Sequence, residues 1–434
     1  MPYYEMPGLG PTLLIALVTV VVAGHPLLLQ PEQVHLALKG NPCTMLVSWV
    51  TGNVTESVVE YGLLPGRPFS LRAKGSSKVF VDGGSAKRSM YIHEVLLERL
   101  VPGSRYVYHC GSGFGWSDMF NFVAMKEDTA WSPQFAIFGD MGNENAQSLA
   151  RIQKDTQQGM YDVILHVGDF AYDMHEDDAR VGDEFMRQIE SVAAYVPYMT
   201  CPGNHEEAYN FSNYKNRFSM PGTTEGLWYS WNIGPVHMIS FSTEVYFFLN
   251  YGPFLIEQQY RWLQKDLEEA NRPENRKLRP WIITMGHRPM YCSNADAGKD
   301  DCTKIDSLIR GNLEKLFYLN GVDLEIWAHE HVYERLWPVY DQQVYNGSLD
   351  SPYTDPKAPV HITTGSAGCS ERHGHFVPKA AAWSAFRSPD YGYTRMKVFN
   401  STHIYLEQVS DDKDGKIIDS IWIVKNHHGV AAWL

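Results

Sequence analysis

The chain has 434 residues, with 37 Lys and Arg against 50 Asp and Glu, a formal net charge of −13. An apolar fraction of 44% with 20% charged residues supports a sizeable core and excludes a largely disordered chain, while the acidic balance argues against nucleic acid or an anionic membrane as a general partner. At roughly 150 residues per domain the length amounts to about three domains, and an aromatic content of 13% favours β-structure over long helical arrays.

Residues 12–23 form an uncharged apolar run followed by Gly24-His25-Pro26. The run is short for a bilayer span and fits the apolar region of a secretory signal, with Val21 and Ala23 as a small-residue cleavage pattern. The first ten residues are an atypical leader start, holding Glu5 and no Lys or Arg. Residues 1–24 are expected to be a signal peptide, and no second stretch of spanning length follows, so the expectation is a secreted protein with no membrane partner. Four Asn-x-Ser/Thr sequons, at Asn53, Asn210, Asn346 and Asn400, agree with export and are candidate glycosylation sites. Of the six Cys, Cys292 and Cys302 are close enough to close a small loop in an oxidising compartment. Cys43, Cys110, Cys201 and Cys369 cannot be paired from sequence.

From residue 31 to about 126 the texture is all-β: short alternating runs such as Thr44-Met-Leu-Val-Ser-Trp49 and Tyr91-Ile-His-Glu-Val-Leu96 are separated by Gly and Pro turns. Leu100-Val-Pro-Gly-Ser-Arg-Tyr-Val-Tyr108 resembles the turn-and-strand corner of fibronectin type III sandwiches, with Trp49 as a core filler. This stretch carries no catalytic cluster and reads as a structural or docking module.

After Trp131-Ser-Pro133, apolar strand runs alternate with helical segments near 146–158, 181–196, 254–271 and 306–320. In the third, Leu255, Ile256, Tyr260, Leu263 and Leu267 fall on one helical face. Strand–helix alternation with near-continuous apolar strands predicts an α/β layered domain over residues 131–425. Its last part, from about residue 383, returns to strand.

What ends those strands carries the chemistry. Phe135-Ala-Ile-Phe-Gly139 runs into Asp140, Val163-Ile-Leu-His-Val-Gly168 into Asp169-Phe-Ala-Tyr172, and Tyr198-Met-Thr-Cys-Pro-Gly203 into Asn204-His205-Glu206. Trp281-Ile-Ile-Thr-Met-Gly286 runs into His287, and Leu324-Glu-Ile-Trp-Ala328 into His329-Glu-His331. Loops at the carboxyl ends of α/β strands converge on one crevice, and the small residue before each candidate is expected to supply the sharp turn. A Gly-Asp pair alone is usually a turn or helix cap, and a lone His a satisfied structural residue. Five such endings in order point to a metal site. Asp, Asn, Tyr and His without thiolate suit Fe, Zn or Mn, and seven candidates suit two ions better than one. A two-metal site clamps both attacking and non-bridging oxygens in a displacement at phosphorus.

This ordered set resembles the metallophosphoesterases, and Asp169-Phe-Ala-Tyr172 resembles the purple acid phosphatases. The preceding sandwich makes the chain similar to their long, plant-type form, also found in animals as iron/zinc purple acid phosphatase-like proteins. The resemblance implies a fibronectin III-like β-sandwich followed by an α-β-β-α metallophosphoesterase domain. It implies a secreted acid phosphatase in which a metal-activated hydroxide attacks phosphate monoesters. Fe(III) would be held by Asp140, Tyr172 and His331, and Asp169 would bridge. Asn204, His287 and His329 would complete a divalent site, Zn foremost with Fe or Mn open. His205 would face the phosphate and protonate the leaving alcohol; Glu206 would orient it or lie solvated, the latter preferred. The partner is a small phosphorylated substrate, with a homodimer left open.

The chain departs from the family in having Ala328 in place of Gly. It also lacks the two adjacent substrate-facing His of the plant enzymes, having Cys292-Ser-Asn-Ala-Asp296 in that stretch. His373-Gly-His375 reads as a polar surface loop. That departure keeps a phosphodiester or pyrophosphate substrate open, and a non-catalytic metal-containing binding protein is the reading from a different class.

Overall fold

A computed structural model describes Pro2, residues 26–294 and residues 301–433. Apart from Pro2, the expected signal segment lies outside the described residues, as do Ala295 and Asp296. Among the described residues no helix is long and apolar enough to cross a membrane.

The first unit is two antiparallel sheets face to face. One runs in the order Glu32–Ala37, Met45–Thr51, Ser89–Leu97, Ser76–Val81. The other is built on Leu71–Lys74, Val58–Leu64 and Arg105–Ser112, extended by Gly115–Trp116 and Phe120–Val123. Period-two burial forms the core: Val95 and Leu97 point into it from one strand, while Met90 and Ile92 on that strand's other face form a small separate cluster with Val50 and Phe80, and Trp49 is fully buried and stacked on His93 at 4.9 Å. The corner read from sequence is present, with the Val101 N–H donating to the Tyr106 hydroxyl at 2.9 Å.

The second unit is mixed α/β with two sheets. The six-stranded sheet places the parallel strands Tyr198–Cys201, Val163–Val167 and Gln134–Phe138 beside the antiparallel C-terminal strands Gly392–Val398, His403–Ser410 and Lys416–Val424. In register, Ala136 pairs with Ile164 and Ile164 with Tyr198. The seven-stranded sheet has a parallel centre, Val236–Ser240, Trp281–Met285, Leu324–Trp327 and Val360–Thr364, flanked by antiparallel strands. These central strands are buried along their whole length, as continuous apolar runs covered on both faces must be.

In Glu176–Ala193 the regular helix follows Ala179, in line with the apolar periodicity; Asp177, Asp178 and Ala179 are left-handed, with φ of 48°, 50° and 65°, and form a kinked acidic entry. In helix Phe254–Ala270, Leu263 and Leu267 are buried, whereas Tyr260 lies 37% exposed and does not share the core-facing stripe expected of it. The segment Ala208–Arg217 has no periodic signal in the sequence: it enters through left-handed Tyr209, Asn210 and Phe211 and continues as helix, with Phe211, Asn213, Tyr214 and Arg217 buried. The two units share buried polar contacts. The Val34 N–H donates to Glu190 Oε2 at 2.8 Å, and the Tyr108 hydroxyl to the Ala194 carbonyl at 2.7 Å. Fully buried Arg217 donates to Asp183 Oδ1 at 2.9 Å and to Gln33 Oε1 at 3.1 Å.

Candidate metal centre

Three strands of the six-stranded sheet and two of the other end at one crevice, and their loops bring the seven singled-out side chains together. The turns are made differently from the sequence expectation. Only Gly168, with φ +84°, takes a left-handed backbone among the small residues preceding the candidates. Positive φ falls instead on Asp140 (57°), Asp169 (52°), Tyr172 (51°) and His329 (67°). Each such residue costs on the order of 1–3 kcal/mol unless its surroundings enforce it, and such residues cluster at functional sites. Gly203 is needed for closeness: a Cβ there would sit 2.2 Å from Asp169 Oδ1.

Hydrogen bonds fix which atoms face the centre. His287 donates from Nδ1 to the Val167 carbonyl at 2.8 Å, turning Nε2 toward Asp169 Oδ2 at 3.0 Å and Asn204 Oδ1 at 3.3 Å. His331 likewise donates from Nδ1 to the Arg372 carbonyl at 2.9 Å, leaving Nε2 2.9 Å from the Tyr172 hydroxyl. That hydroxyl lies 3.2 Å from Asp140 Oδ1, and Asp140 Oδ2 accepts the His329 N–H at 2.9 Å. Ligand atoms of Asp169, His287 and His329 all lie within 4.8 Å of one another. Anchoring one ring nitrogen on a carbonyl to present the other is how metal-ligating His are oriented.

The electrostatics suit a cation. Burial and the facing Asp169 carboxylate hold Asp140 above the usual carboxylate range, and burial drives the Tyr172 phenol up. Burial works against charge on His287, but Asp169 outweighs it and carries the imidazole up to about 10. His329 is held well down by burial and by Arg288, whose Nη1 stands 3.0 Å from His329 Nε2 and whose charge is met by buried Glu244. The donor set, with ring nitrogens aimed inward and clustered buried carboxylates, fits a metal pair.

The His205 ring lies against Tyr172, tilted by 38° with 4.2 Å between ring centroids, and is bonded through Nδ1 to Asp173 Oδ1 at 2.9 Å. Burial would lower its pKa, yet Asp173 and Asp169 raise it to about 9. Glu206 departs from the expectation of a solvated carboxylate. It is 2% exposed and accepts three backbone N–H groups, from Asp169 and Gly203 at 2.9 Å and from Phe170 at 3.0 Å. It braces the two turns that carry Asp169 and Asn204, and burial with the nearby Asp169 charge pushes it up to about 7.

Three further residues at the site were not singled out for it by sequence, Asp173, Glu371 and Cys369, while Asn294 lines it from the stretch where the plant enzymes have their substrate-facing His. Glu371 Oε1 lies 3.7 Å from His205 Nε2, and the Cys369 thiol 3.5 Å from His331 Nδ1. His373, expected in a surface loop, lines the mouth with Asn294 and Glu371, while His375 stays exposed. Only the residue types in that loop, Glu-Arg-His, signalled its chemistry in advance. A disulfide joins Cys292 and Cys302 across a Cα separation of 5.4 Å, and the other four Cys are free. Of the sequon asparagines, Asn210 and Asn400 are exposed and Asn53 and Asn346 partly so.

Comparison with known proteins agrees with this arrangement. Residues 133–333 match the calcineurin-like phosphoesterase family, and the fold and site define the chain as a metallophosphoesterase. Residues 31–124 match the purple acid phosphatase N-terminal domain, and residues 358–420 the iron/zinc purple acid phosphatase-like protein C region. The chain is 63% identical over 427 residues to acid phosphatase type 7 of Danio rerio, with 96% of each chain covered. It is 59% identical over 411 residues to the Homo sapiens protein of that name, with 93% of each covered. Purple acid phosphatase 22 of Arabidopsis thaliana is 31% identical over 93% of this chain and 87% of its own. The structure of a purple acid phosphatase from yellow lupin (Lupinus luteus) seeds superposes with a TM-score of 0.76 at 24% identity, over 91% of this chain and 74% of that one, sharing the fold. The chain therefore belongs to the purple acid phosphatase family, enzymes that hydrolyse phosphate esters at a binuclear metal centre.

Proposed function

We propose that the chain hydrolyses phosphate monoesters at an Fe(III)–M(II) centre, with Zn as the foremost divalent ion. Asp140, Tyr172 and His331 would hold the iron, Asn204, His287 and His329 the second ion, and Asp169 would be shared. The observation that carries this reading is the convergence of all seven side chains, with His287 and His331 each anchored through Nδ1 so that Nε2 faces inward. Bound there, the metal pair supplies Lewis-acid charge and an activated water for displacement at phosphorus.

The chain's own residues do the rest. Asp169 Oδ1 accepts the His205 N–H at 2.9 Å, fixing that backbone beside the site. Asp173 holds His205 Nδ1, so Nε2 carries the proton that the departing alkoxide takes. With its pKa raised to about 9, His205 is protonated throughout the acid range, which supports acidic working pH. Glu206 keeps the Asp169 and Asn204 turns rigid from behind.

Secretion belongs to the same reading. It is supported by the apolar leader, by the Cys292–Cys302 bridge, which persists in oxidising compartments, and by the exposed sequons Asn210 and Asn400.

Metal analysis, visible absorption and turnover on a monoester, a diester and a pyrophosphate test the proposal together. The expected result is two ions per chain, a tyrosinate-to-iron band abolished by Tyr172→Phe, and fastest turnover of the monoester at acidic pH. Full metal content without monoesterase activity between about pH 4 and 7 would sink the activity. A band that survives Tyr172→Phe would sink the ligand assignment. Sequencing the N-terminus of protein recovered from culture medium tests export, and sedimentation of the same material tests for a homodimer.

A further inference from the structure

Strands Gly392–Val398 and His403–Ser410 of the six-stranded sheet are joined by a short turn, closed by the Phe399 N–H donating to the His403 carbonyl at 2.9 Å. Asn400 sits exposed in that turn. Its Oδ1 accepts the Thr402 N–H at 2.8 Å and the His403 N–H and Thr402 hydroxyl at 3.0 Å each. Its backbone carbonyl accepts the Trp281 indole N–H at 2.8 Å, which ties the turn to the other sheet. Both oxygens of Asn400 are therefore engaged, and the group left for chemistry is the side-chain amide nitrogen, the atom that bears sugar in an Asn-x-Thr sequon.

Beside the turn, the outer face of the same sheet carries an aromatic shelf. Register sets Lys397 opposite Tyr405 and Tyr405 opposite Trp422. Residues two apart on a strand share a face, which adds Phe399 and His403 to that row. Trp422 meets Phe399 and Tyr405 at 5.0 Å and His403 at 6.1 Å between ring centroids, and Lys397 Nζ lies 4.8 Å from the Phe399 centroid. On the inner face Ile404, Leu406 and Ile423 are buried, whereas Trp422 is 46% and Phe399 37% exposed. Clustered rings held open to water mark a binding surface. A pyranose suits it: the C–H face of the sugar lies on the ring plane while its hydroxyls stay hydrated. The shelf is continuous with the sequon, because Phe399 immediately precedes Asn400.

We propose that Asn400 carries an N-linked glycan whose first N-acetylglucosamine units pack on Phe399 and Trp422, making the sugar a structural cover of this face. The inference rests on the export reading above, because such glycans are added on the secretory route. In the transfer, Asn400 Nδ2 bonds to the anomeric carbon of a lipid-linked oligosaccharide. The bond from that carbon to the donor's pyrophosphate oxygen breaks, and the amide proton leaves with the released lipid pyrophosphate.

The test compares full-length chains secreted from cultured animal cells: wild type, Asn400→Asp, Trp422→Ala and the double variant. Aspartate keeps an oxygen for Thr402 and His403 and cannot take the sugar. Trp422 lies on the exposed face, so its truncation opens no cavity in the core; Phe399→Ala probes the shelf a second time. Glycopeptide mass spectrometry should find Asn400 occupied in wild type. Asn400→Asp should lower the melting temperature by about 2 °C in the wild-type background. Beside Trp422→Ala or Phe399→Ala it should lower it no further, since groups in contact couple and separate ones add. Equal shifts in all backgrounds, or a bare Asn400 while other sequons carry sugar, overturns this inference alone. A bare Asn400 in a chain that self-associates, with the association lost in Trp422→Ala, gives the shelf to a second copy and overturns it likewise. A chain that never reaches the medium and is bare at all four sequons overturns the export reading as well.

Discussion

Glu206→Gln is the most discriminating single change, because Glu206 touches no proposed ligand side chain and acts on the centre only through backbone. Its Oε2 accepts the Asp169 and Gly203 N–H groups and its Oε1 the Phe170 N–H, all within 3.0 Å. A glutamine can accept on one side only. If its oxygen keeps the pair, its amide nitrogen is set against the Phe170 N–H, leaving a buried donor unpaired at about 1–3 kcal/mol. The other orientation leaves two unpaired, so the first figure is the smaller loss. The loosened turns carry Asp169 and Asn204, and partners behind ligands are typically worth about 10–100-fold in metal affinity. Loss of the Glu206 charge acts in the same direction. The assay is competition of wild type and variant against a chelating dye at pH 8, above the value of about 7 to which Glu206 is pushed. Far-UV circular dichroism confirms an unchanged fold. Two ions held within about twofold of wild-type affinity, well under that range, would refute the reasoning.

Four other outcomes follow. In the metal-free chain His287 is an imidazolium held by Asp169, at about 10, so metal uptake at neutral pH must expel its proton; calorimetry in buffers of differing ionisation enthalpy should register the release, and none in His287→Ala. The metal-free His205 pKa, near 9, lies above its ordinary value of about 6.5. Charged His205 therefore adds stability that is full below about 6.5 and lost as pH rises through 9; Asp173→Asn should flatten that part of the melting-temperature profile, and an unchanged profile would count against the pairing. Gly168→Ala would put a Cβ 2.5 Å from His287 Nδ1 at φ +84°, so metal content should fall sharply; full occupancy would show that the turn can relax. Cys292→Ser with Cys302→Ser opens a short loop and should cost about 2–3 kcal/mol in denaturant unfolding, with KM rising because Asn294 lies in that loop; identical KM would detach the loop from substrate.

The layout of strands and the candidate ligands is legible in the sequence for one reason. Buried parallel strands are continuous apolar runs, and each ends on a small residue followed by a metal-capable side chain, as at Gly168-Asp169 and Gly286-His287. Residues acting across loops have no such marker. Glu206 reads as one more acidic residue, and only the folded turn reveals three N–H groups aimed at it. Asn294 and His373 line one mouth because an isolated bridge pairs Asn294 with Phe376, a pairing that no local pattern encodes. Helix Ala208–Arg217 escapes because its buried face mixes Phe211 and Tyr214 with Asn213 and Arg217. The left-handed backbone at Asp140, Asp169, Tyr172 and His329 escapes because nothing in those residue types requires it.

The polar seam between sandwich and α/β unit bears on how the molecule comes apart. Arg217, with no exposed side-chain surface, is neutralised by Asp183, which also pairs with Arg88 of the sandwich, and it donates further to Gln33 of the first strand. Separating the units would leave a buried guanidinium without part of its shell and strip Glu190 of the Val34 N–H. The two should melt as one calorimetric transition, and a truncated α/β unit expressed alone should be insoluble. On this view the sandwich is an obligate half of the cooperative folding unit rather than a detachable appendage.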